Sequence, residues 1–410
     1  MSNCIVAQSG GPTAVINASL CGVIEAAFNH PKIDTVYGAL NGITGVLEDT
    51  TLNLSERFGH NRETLEQLKY TPAMYLGSCR YKLPDYSKDP LTYEKIFSFF
   101  KEKAIDYFFY IGGNDSMDTV FKLSMYAKEH QIDVKIIGIP KTIDNDLVET
   151  DHTPGYGSAA KYVATSLLEI AHDTYIYNLE SVTIVEIMGR NAGWLTAASA
   201  LARTTYSTAP DLIYLPEKAF DVSLFIKRVK ALQKSQKNII VAVSEGIKDK
   251  DGNYIAASVS GTYDAFGHAK LSGVGKTLEY LLADHLGCKV RSIELNVLQR
   301  AAGHVASYTD IQEAVSVGKV AVETATKGLT GKMMAIKRIN ANPYEVEIQS
   351  VDVDLVANHE KEVPKQYIND AGDDVTTDFI DYAKPLIEGE TRLTYKNGIP
   401  NFINILHLKR

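Results

Sequence analysis

Only four cysteines and one tryptophan occur in 410 residues. Cys4, Cys21, Cys79 and Cys288 show no Cys-x-x-Cys spacing, so neither a zinc site nor a disulfide framework is expected. No apolar stretch approaches the roughly 20 residues that a membrane helix needs. Positive charge is scarce too: 42 Lys and Arg stand against 50 Asp and Glu, for a net charge of −8. Without a basic run to track a phosphate backbone, nucleic acid is not expected as a partner. An anionic small molecule would have to be met by a few locally concentrated Arg and Lys. The start of the chain enters a strand pattern at Cys4–Gln8 (CIVAQ) with no signal-peptide pattern. With the sparse cysteines, this gives an expectation of the cytoplasm.

The rest of the composition, 45% hydrophobic and 22% charged, is that of an ordinary globular protein. The length allows two or three domains at roughly 100–200 residues each. Two polar clusters organise the chain. Ile111-Gly112-Gly113-Asn114-Asp115-Ser116 follows the apolar run Asp106–Tyr110, and Pro140-Lys141-Thr142-Ile143-Asp144-Asn145-Asp146 follows Val134–Ile139. Such runs read as buried parallel strands, so both clusters sit at carboxyl ends of strands, where open α/β sheets bind ligands. Between them, Met117–Gln131 has the spacing of a crossover helix. The backbone N–H groups of Gly112–Ser116 can hold an anion. Asp144, Asp146 and Lys141 add two carboxylates and an ammonium. These are the parts that phosphoryl transfer needs.

Further strand-to-turn units repeat this layout. Ser9-Gly10-Gly11-Pro12-Thr13 leads from the first strand into a helix over Ala14–Phe28, and matches neither a dinucleotide fingerprint nor a P-loop. Gly77-Ser78-Cys79-Arg80 is a glycine turn that presents Arg80. Ser181–Ile187 reads as a strand ending in Met188-Gly189-Arg190-Asn191, then a helix over Ala192–Ala202. Ile239–Ser244 leads into Glu245-Gly246. Ser272–Leu286 reads as a helix, Lys248–Gly261 as loop, and Arg291–Leu298 as a strand ending in Gln299-Arg300. Blocks at about 1–140 and 141–265 predict two stacked α/β lobes with a cleft between them. Part of 266–334 is expected to rejoin the first lobe. Residues 335–410 read as an appended region with no chemistry in its sequence.

These motifs, SGGPTAVIN, GSCR, GGNDS, PKTIDND, MGRNAGW, SEG and LQR, resemble those of the 6-phosphofructokinases over roughly residues 4–325. The resemblance implies two Rossmann-like three-layer lobes, one for the phosphoryl donor and one for fructose 6-phosphate. It implies Asp144 as the base on the sugar 1-hydroxyl, with Thr142 and Ile143 touching substrate. Met188, Gly189 and Arg190 match the sugar-binding turn, and Glu245 a contact to sugar hydroxyls. Arg300 and Arg291 match the 6-phosphate clamp, one of which a neighbouring subunit supplies in this family. Gly11, Arg80 and Ser116 match donor contacts. Asn114 and Asp146 match positions near Mg²⁺, the implied cofactor, and a homodimer or homotetramer is implied. Members that use ATP carry glycine at the positions of Asp115 and Lys141, whereas those that use diphosphate carry aspartate and lysine. The chain therefore resembles the diphosphate-dependent members. The alternatives are an ATP-dependent member, or a silent subunit that binds sugar phosphate. Four positions depart from the common pattern: Asn114 replaces an aspartate, Val297 a sugar-contacting side chain, Ser181 an arginine, and Ala301-Ala302 a glycine pair. Cys21 and Glu25 stand where allosteric members place effector-binding arginines, so no effector site is expected there.

Overall fold

The computed structural model describes residues 2–59, 61–256 and 273–409. The apolar runs become strands: β1 (Ser2–Gln8), β2 (Ile33–Ala39), β3 (Thr51–Asn53), β4 (Ile105–Gly112) and β5 (Lys135–Pro140). Later come β6 (Ser181–Ile187), β7 (Leu212–Tyr214), β8 (Asn238–Ser244), β9 (Lys289–Glu294), β10 (Lys332–Ala341) and β11 (Tyr344–Asp352). They build a seven-stranded sheet in the order β11-β10-β5-β4-β1-β2-β3 and a four-stranded sheet in the order β7-β8-β6-β9. The smaller sheet is wholly parallel. The larger is parallel at its centre, with antiparallel β3 and β11 at its edges.

Both faces of each sheet are covered, which is why the strands read as continuous apolar runs and not as alternating ones. On one face of the larger sheet, Leu20 and Val23 of the helix Ile16–Phe28 pack with Val317 and Ala321 of the helix Tyr308–Thr326. On the other, Tyr93, Phe97 and Phe100 pack with Met117, Val120 and Tyr126. The smaller sheet is covered by the helix Tyr156–Tyr175 and Trp194 on one face, and by Phe225, Val274 and Leu278 on the other.

Three expectations change. The crossover helix runs Asn114–Glu129, so Asn114, Asp115 and Ser116 form its first turn. Apolar periodicity cannot see this turn, whose polar residues are stabilised by the helix dipole. The strand read over Arg291–Leu298 ends at Glu294, and a 3-10 turn over Asn296–Arg300 carries Gln299 and Arg300. Asn296 takes a positive φ of 43°, and Val297 and Leu298 point to solvent instead of into a sheet. The region set aside at 335–410 is woven into both lobes. β10 meets β5 at Lys332 and Met333 and continues into this region, burying Ala335 and Ile336 and pairing with β11, while Phe379 and Tyr382 enter the core around Trp194. These segments find their partners far away in the chain, so local pattern is silent about them. The lobe boundary read near 265 and the helix start read at Ser272 lie outside the described residues; that helix is described from Val274 to Ala283.

A buried ionic cluster joins this carboxyl-terminal part to the rest. His152 bridges Asp151 at 2.8 Å and Glu313 at 2.6 Å. Glu313 accepts from the Tyr344 hydroxyl at 2.6 Å, and Arg338 pairs with Asp151 at 2.9 Å. Burial alone opposes charge on His152, but the Glu313 carboxylate and the hydrogen bonds to both acids outweigh it and raise the imidazole to about 9. A group whose pKa rises on folding stabilises the fold fully below its unfolded pKa and loses that contribution as pH rises through its folded one. The extra unfolding free energy of wild type over His152→Gln is therefore largest below pH 6.5 and shrinks as the pH approaches about 9. Urea denaturation of both proteins across this range measures it. A difference that stays constant or grows with pH contradicts a charged His152.

Candidate active site

The carboxyl ends of β1, β4 and β5 face those of β6 and β8 across a cleft of about 540 Å³. In the larger sheet, the chain leaves β1 toward β2 on one side and returns as β4 on the other, so the β1 and β4 ends flank the switch point where such sheets take ligands.

On the larger sheet's side, Gly10 adopts φ 80°, and a Cβ there would lie 3.1 Å from Lys141 Nζ. The turn can thus bring its backbone to the Lys141 ammonium, which donates to the Gly11 carbonyl at 2.7 Å. The Lys141 N–H donates to Gly112 at 3.0 Å, which fixes the start of the second cluster to the end of β4. Lys141 is 2% exposed. Burial lowers its pKa to about 8, against the pull of Asp144 and Asp146, and Arg300 adds to the lowering. Arg80, Asp115 and Ser116 line the same cleft.

The loop after β5 is shaped by Asn145, which is fully buried with φ 54°. Its side chain donates to the Tyr382 hydroxyl at 2.9 Å and accepts from the Thr153 N–H at 3.1 Å. The Asp144 N–H donates to Thr142 Oγ1 at 3.0 Å. Asn145 therefore points inward while its two neighbours, Asp144 and Asp146, both line the cleft. Burial, then the nearby Glu245 charge, holds Asp144 above the ordinary carboxylate range. Burial and the Asp144 charge do the same to Asp146. Asp146 Oδ1 is buried and has no hydrogen-bond partner.

The turn after β6 completes the other side. Gly189 has φ 147°, and a Cβ there would fall 2.6 Å from the Ala192 carbonyl, so only glycine fits. Gln299 Oε1 accepts from the Met188 N–H at 3.3 Å, which ties this turn to the one that carries Arg300. Glu245 lies beneath, raised to about 7 by burial. Arg190 Nε and Arg300 Nε are both buried without a protein partner, as two cations awaiting an anion would be. Burial, then the neighbouring Arg80 charge, lowers the Arg300 pKa.

The cleft therefore brings together Gly11, Arg80, Asn114, Asp115, Ser116, Lys141, Thr142, Ile143, Asp144, Asp146, Met188, Arg190, Glu245 and Arg300. Gly189 shapes the turn behind them. Arg291 is elsewhere: it donates to Thr183 at 3.1 Å and to Asp173 and Thr174 at 2.9 Å, outside the cleft of its own chain. Asn114 reaches the cleft, but its amide is engaged with residues 358 and 359. Sequence reasoning missed Lys82, Tyr110, Asn358 and Glu360 as lining residues, and Gln299 as a support. Gln299 sat within the LQR motif and offered a signal. Asn358 and Glu360 offered none.

A fold of two facing α/β lobes, with acids and cations converging at their strand ends, defines a phosphotransferase architecture. Residues 3–325 match the phosphofructokinase family, and the chain belongs to it. The pyrophosphate–fructose 6-phosphate 1-phosphotransferase of Methylococcus capsulatus is 41% identical over 99% of this chain and 96% of its own length. That of Halomonas elongata is 42% identical over 97% of this chain and 94% of its own length. The crystal structure of the pyrophosphate-dependent phosphofructokinase of Nitrosospira multiformis superposes with a TM-score of 0.88 at 38% identity, covering 98% and 96% of the two chains.

Proposed function

We propose that this chain transfers a phosphoryl group from diphosphate to the 1-hydroxyl of fructose 6-phosphate, yielding fructose 1,6-bisphosphate and orthophosphate, in both directions. The observation that carries the donor assignment is that Asp115 and Lys141 both line the cleft. Lys141 offers a buried ammonium to the departing orthophosphate, and Asp115 sets a carboxylate where an ATP chain would continue. Charges about 4 Å apart at an effective dielectric of about 20 repel by about 4 kcal/mol, on the order of a thousandfold. The names of the full-length relatives support the same reading.

In the forward direction Asp144 takes the proton of the 1-hydroxyl as its oxygen attacks the terminal phosphorus. The P–O bond to the other phosphate breaks, and Lys141 and Arg190 hold the charge that spreads over the phosphoryl oxygens. Arg300 holds the 6-phosphate, Met188 and Gly189 frame the sugar, and Glu245 accepts from its hydroxyls. Arg80, Gly11 and Ser116 hold the donor. Among the described residues no three His, Cys, Asp or Glu side chains converge as a metal cage. Asp146, with its unpaired oxygen, fits a hydrated Mg²⁺ held chiefly through phosphates and water. When bound, Mg²⁺ neutralises phosphate charge. We also propose a homo-oligomer of two or four subunits, in which Arg291 reaches a neighbour's sugar phosphate, and a cytoplasmic location. No described helix is long and apolar enough to cross a membrane.

Three measurements test the assignment. Asp144→Ser lowers kcat by about 10²–10⁴, the contribution of a positioned base, with a far smaller change in fructose 6-phosphate affinity. In wild type, kcat/KM rises as Asp144 ionises above the ordinary carboxylate range and falls above about pH 8 as Lys141 loses its proton. Near-normal turnover by Asp144→Ser removes Asp144 as the base. Asp115→Gly raises kcat/KM for ATP relative to diphosphate, whereas Lys141→Gly alone mainly lowers diphosphate turnover. An unmoved ratio in Asp115→Gly contradicts the donor reading.

A further inference from the structure

Residues 358–361 cross from one lobe to the other at the cleft. On the larger sheet's side, the Asn358 N–H donates to Asn114 Oδ1 at 2.6 Å, while Asn114 Nδ2 donates to the His359 carbonyl at 2.5 Å. The Asn358 side chain adds a bond to Asp118 at 3.0 Å. On the other side, Asn191 Nδ2 donates to the Glu360 carboxylate at 3.0 and 3.2 Å. Trp194 Nε1 donates to the Lys361 carbonyl at 2.9 Å. Between these ends, the Lys361 N–H donates to the Asp146 carbonyl at 2.7 Å. The Lys361 ammonium donates to Thr150 and Asp151 at 3.0 and 2.9 Å and lies 5.2 Å over the Trp194 ring. One short segment thus grips the first turn of the donor-side helix, the loop of Asp144 and Asp146, and the turn of Arg190.

We propose that Asn358–Lys361 is a strap that positions the donor-binding and sugar-binding halves against each other, with Asn114 as its latch. This rests on the phosphotransfer reading above and extends it. The amide at position 114 is what the latch requires. Its oxygen accepts from one strap residue and its nitrogen donates to the next, whereas a carboxylate would face the His359 carbonyl with no hydrogen to give. An asparagine at this position is thus accounted for by the strap and needs no role as a metal ligand. Asp118, Asn114, Asn191 and the Asp146 backbone all converge on four residues that the motifs leave out. Transfer between two separately bound substrates is acutely sensitive to their alignment, where about 1 Å of misplacement costs on the order of a hundredfold in rate. A strap that fixes alignment acts on turnover and on the mutual influence of the two ligands, and little on either ligand bound alone.

The test compares wild type with Asn358→Gly, Glu360→Ala and Asn114→Asp. Glycine tolerates the φ of 65° at position 358 and removes the Asp118 contact. The affinity for fructose 6-phosphate is titrated with and without methylenediphosphonate, which cannot transfer a phosphoryl group. The lone tryptophan, Trp194, reports binding through its fluorescence. In wild type each ligand strengthens the other by about fivefold or more. In Asn358→Gly and Glu360→Ala this factor falls toward one and kcat drops about tenfold or more, while each ligand alone binds within about threefold of wild type. Glu360 is exposed, so its variant keeps the test valid if the others fold poorly. Asn114→Asp behaves like the other two and gains no affinity for Mn²⁺, read by its paramagnetic resonance. Retained coupling and retained kcat in folded Glu360→Ala overturn the strap, and so does tighter Mn²⁺ binding with full turnover in Asn114→Asp. Because coupling is measured without turnover, a wild type that couples its ligands but does not use diphosphate points to the donor assignment and not to the strap.

Discussion

The site depends on one buried ammonium. Lys141 has lost nearly all its water, and its nearest fixed partner is the Gly11 carbonyl. A cation so placed is tolerable only with opposite charge near it, and Asp144 and Asp146 lie on the same loop. Asp144 is in turn held above its usual range by burial and the Glu245 charge, and Asp146 by burial and the Asp144 charge. The cleft is a balance of charges, each costly alone, in which none can be moved without unsettling the rest. An incoming anion completes that balance, and the unpaired Arg190 Nε, Arg300 Nε and Asp146 Oδ1 mark where it is incomplete.

Holding such charges in place demands a rigid frame. The turn at Asn145 is locked by Tyr382 from the carboxyl-terminal region, and the turn at Gly189 by Gln299 from the 3-10 turn. The strap runs between them. The His152 cluster anchors β10 and β11, and with them the segment that leads to the strap, to the helix Tyr308–Thr326. Residues after 335 thus serve the site from a distance, through hydrogen bonds to backbone and to buried polar atoms.

Much of this was legible in the sequence for a physical reason. Strands buried on both faces leave continuous apolar runs, and ligand loops at their ends leave glycine, aspartate and arginine in short polar clusters. That is why β1, β4, β5 and β6, and with them Asp144, Lys141 and Arg190, could be placed in advance. What escaped notice has no local signature. β10 pairs with β5, some two hundred residues earlier, and β11 joins the sheet only through β10, while Asn358 and Glu360 occupy an ordinary polar stretch. Arg300 was found while its setting was misread, because the positive φ of Asn296 turns an apparent strand into a 3-10 turn. Asn114 was read from the composition of its cluster, and its hydrogen bonds to residues 358 and 359 depend on a contact across more than two hundred residues.

The central claim is that this charge balance is set for diphosphate. The most direct measurement is steady-state phosphorylation of fructose 6-phosphate by the wild-type protein with Mg²⁺, comparing kcat/KM for diphosphate and for ATP. The account predicts a preference for diphosphate of about a hundredfold or more, within the reach of one close charge repulsion. Equal use of both donors, or a preference for ATP, would contradict it.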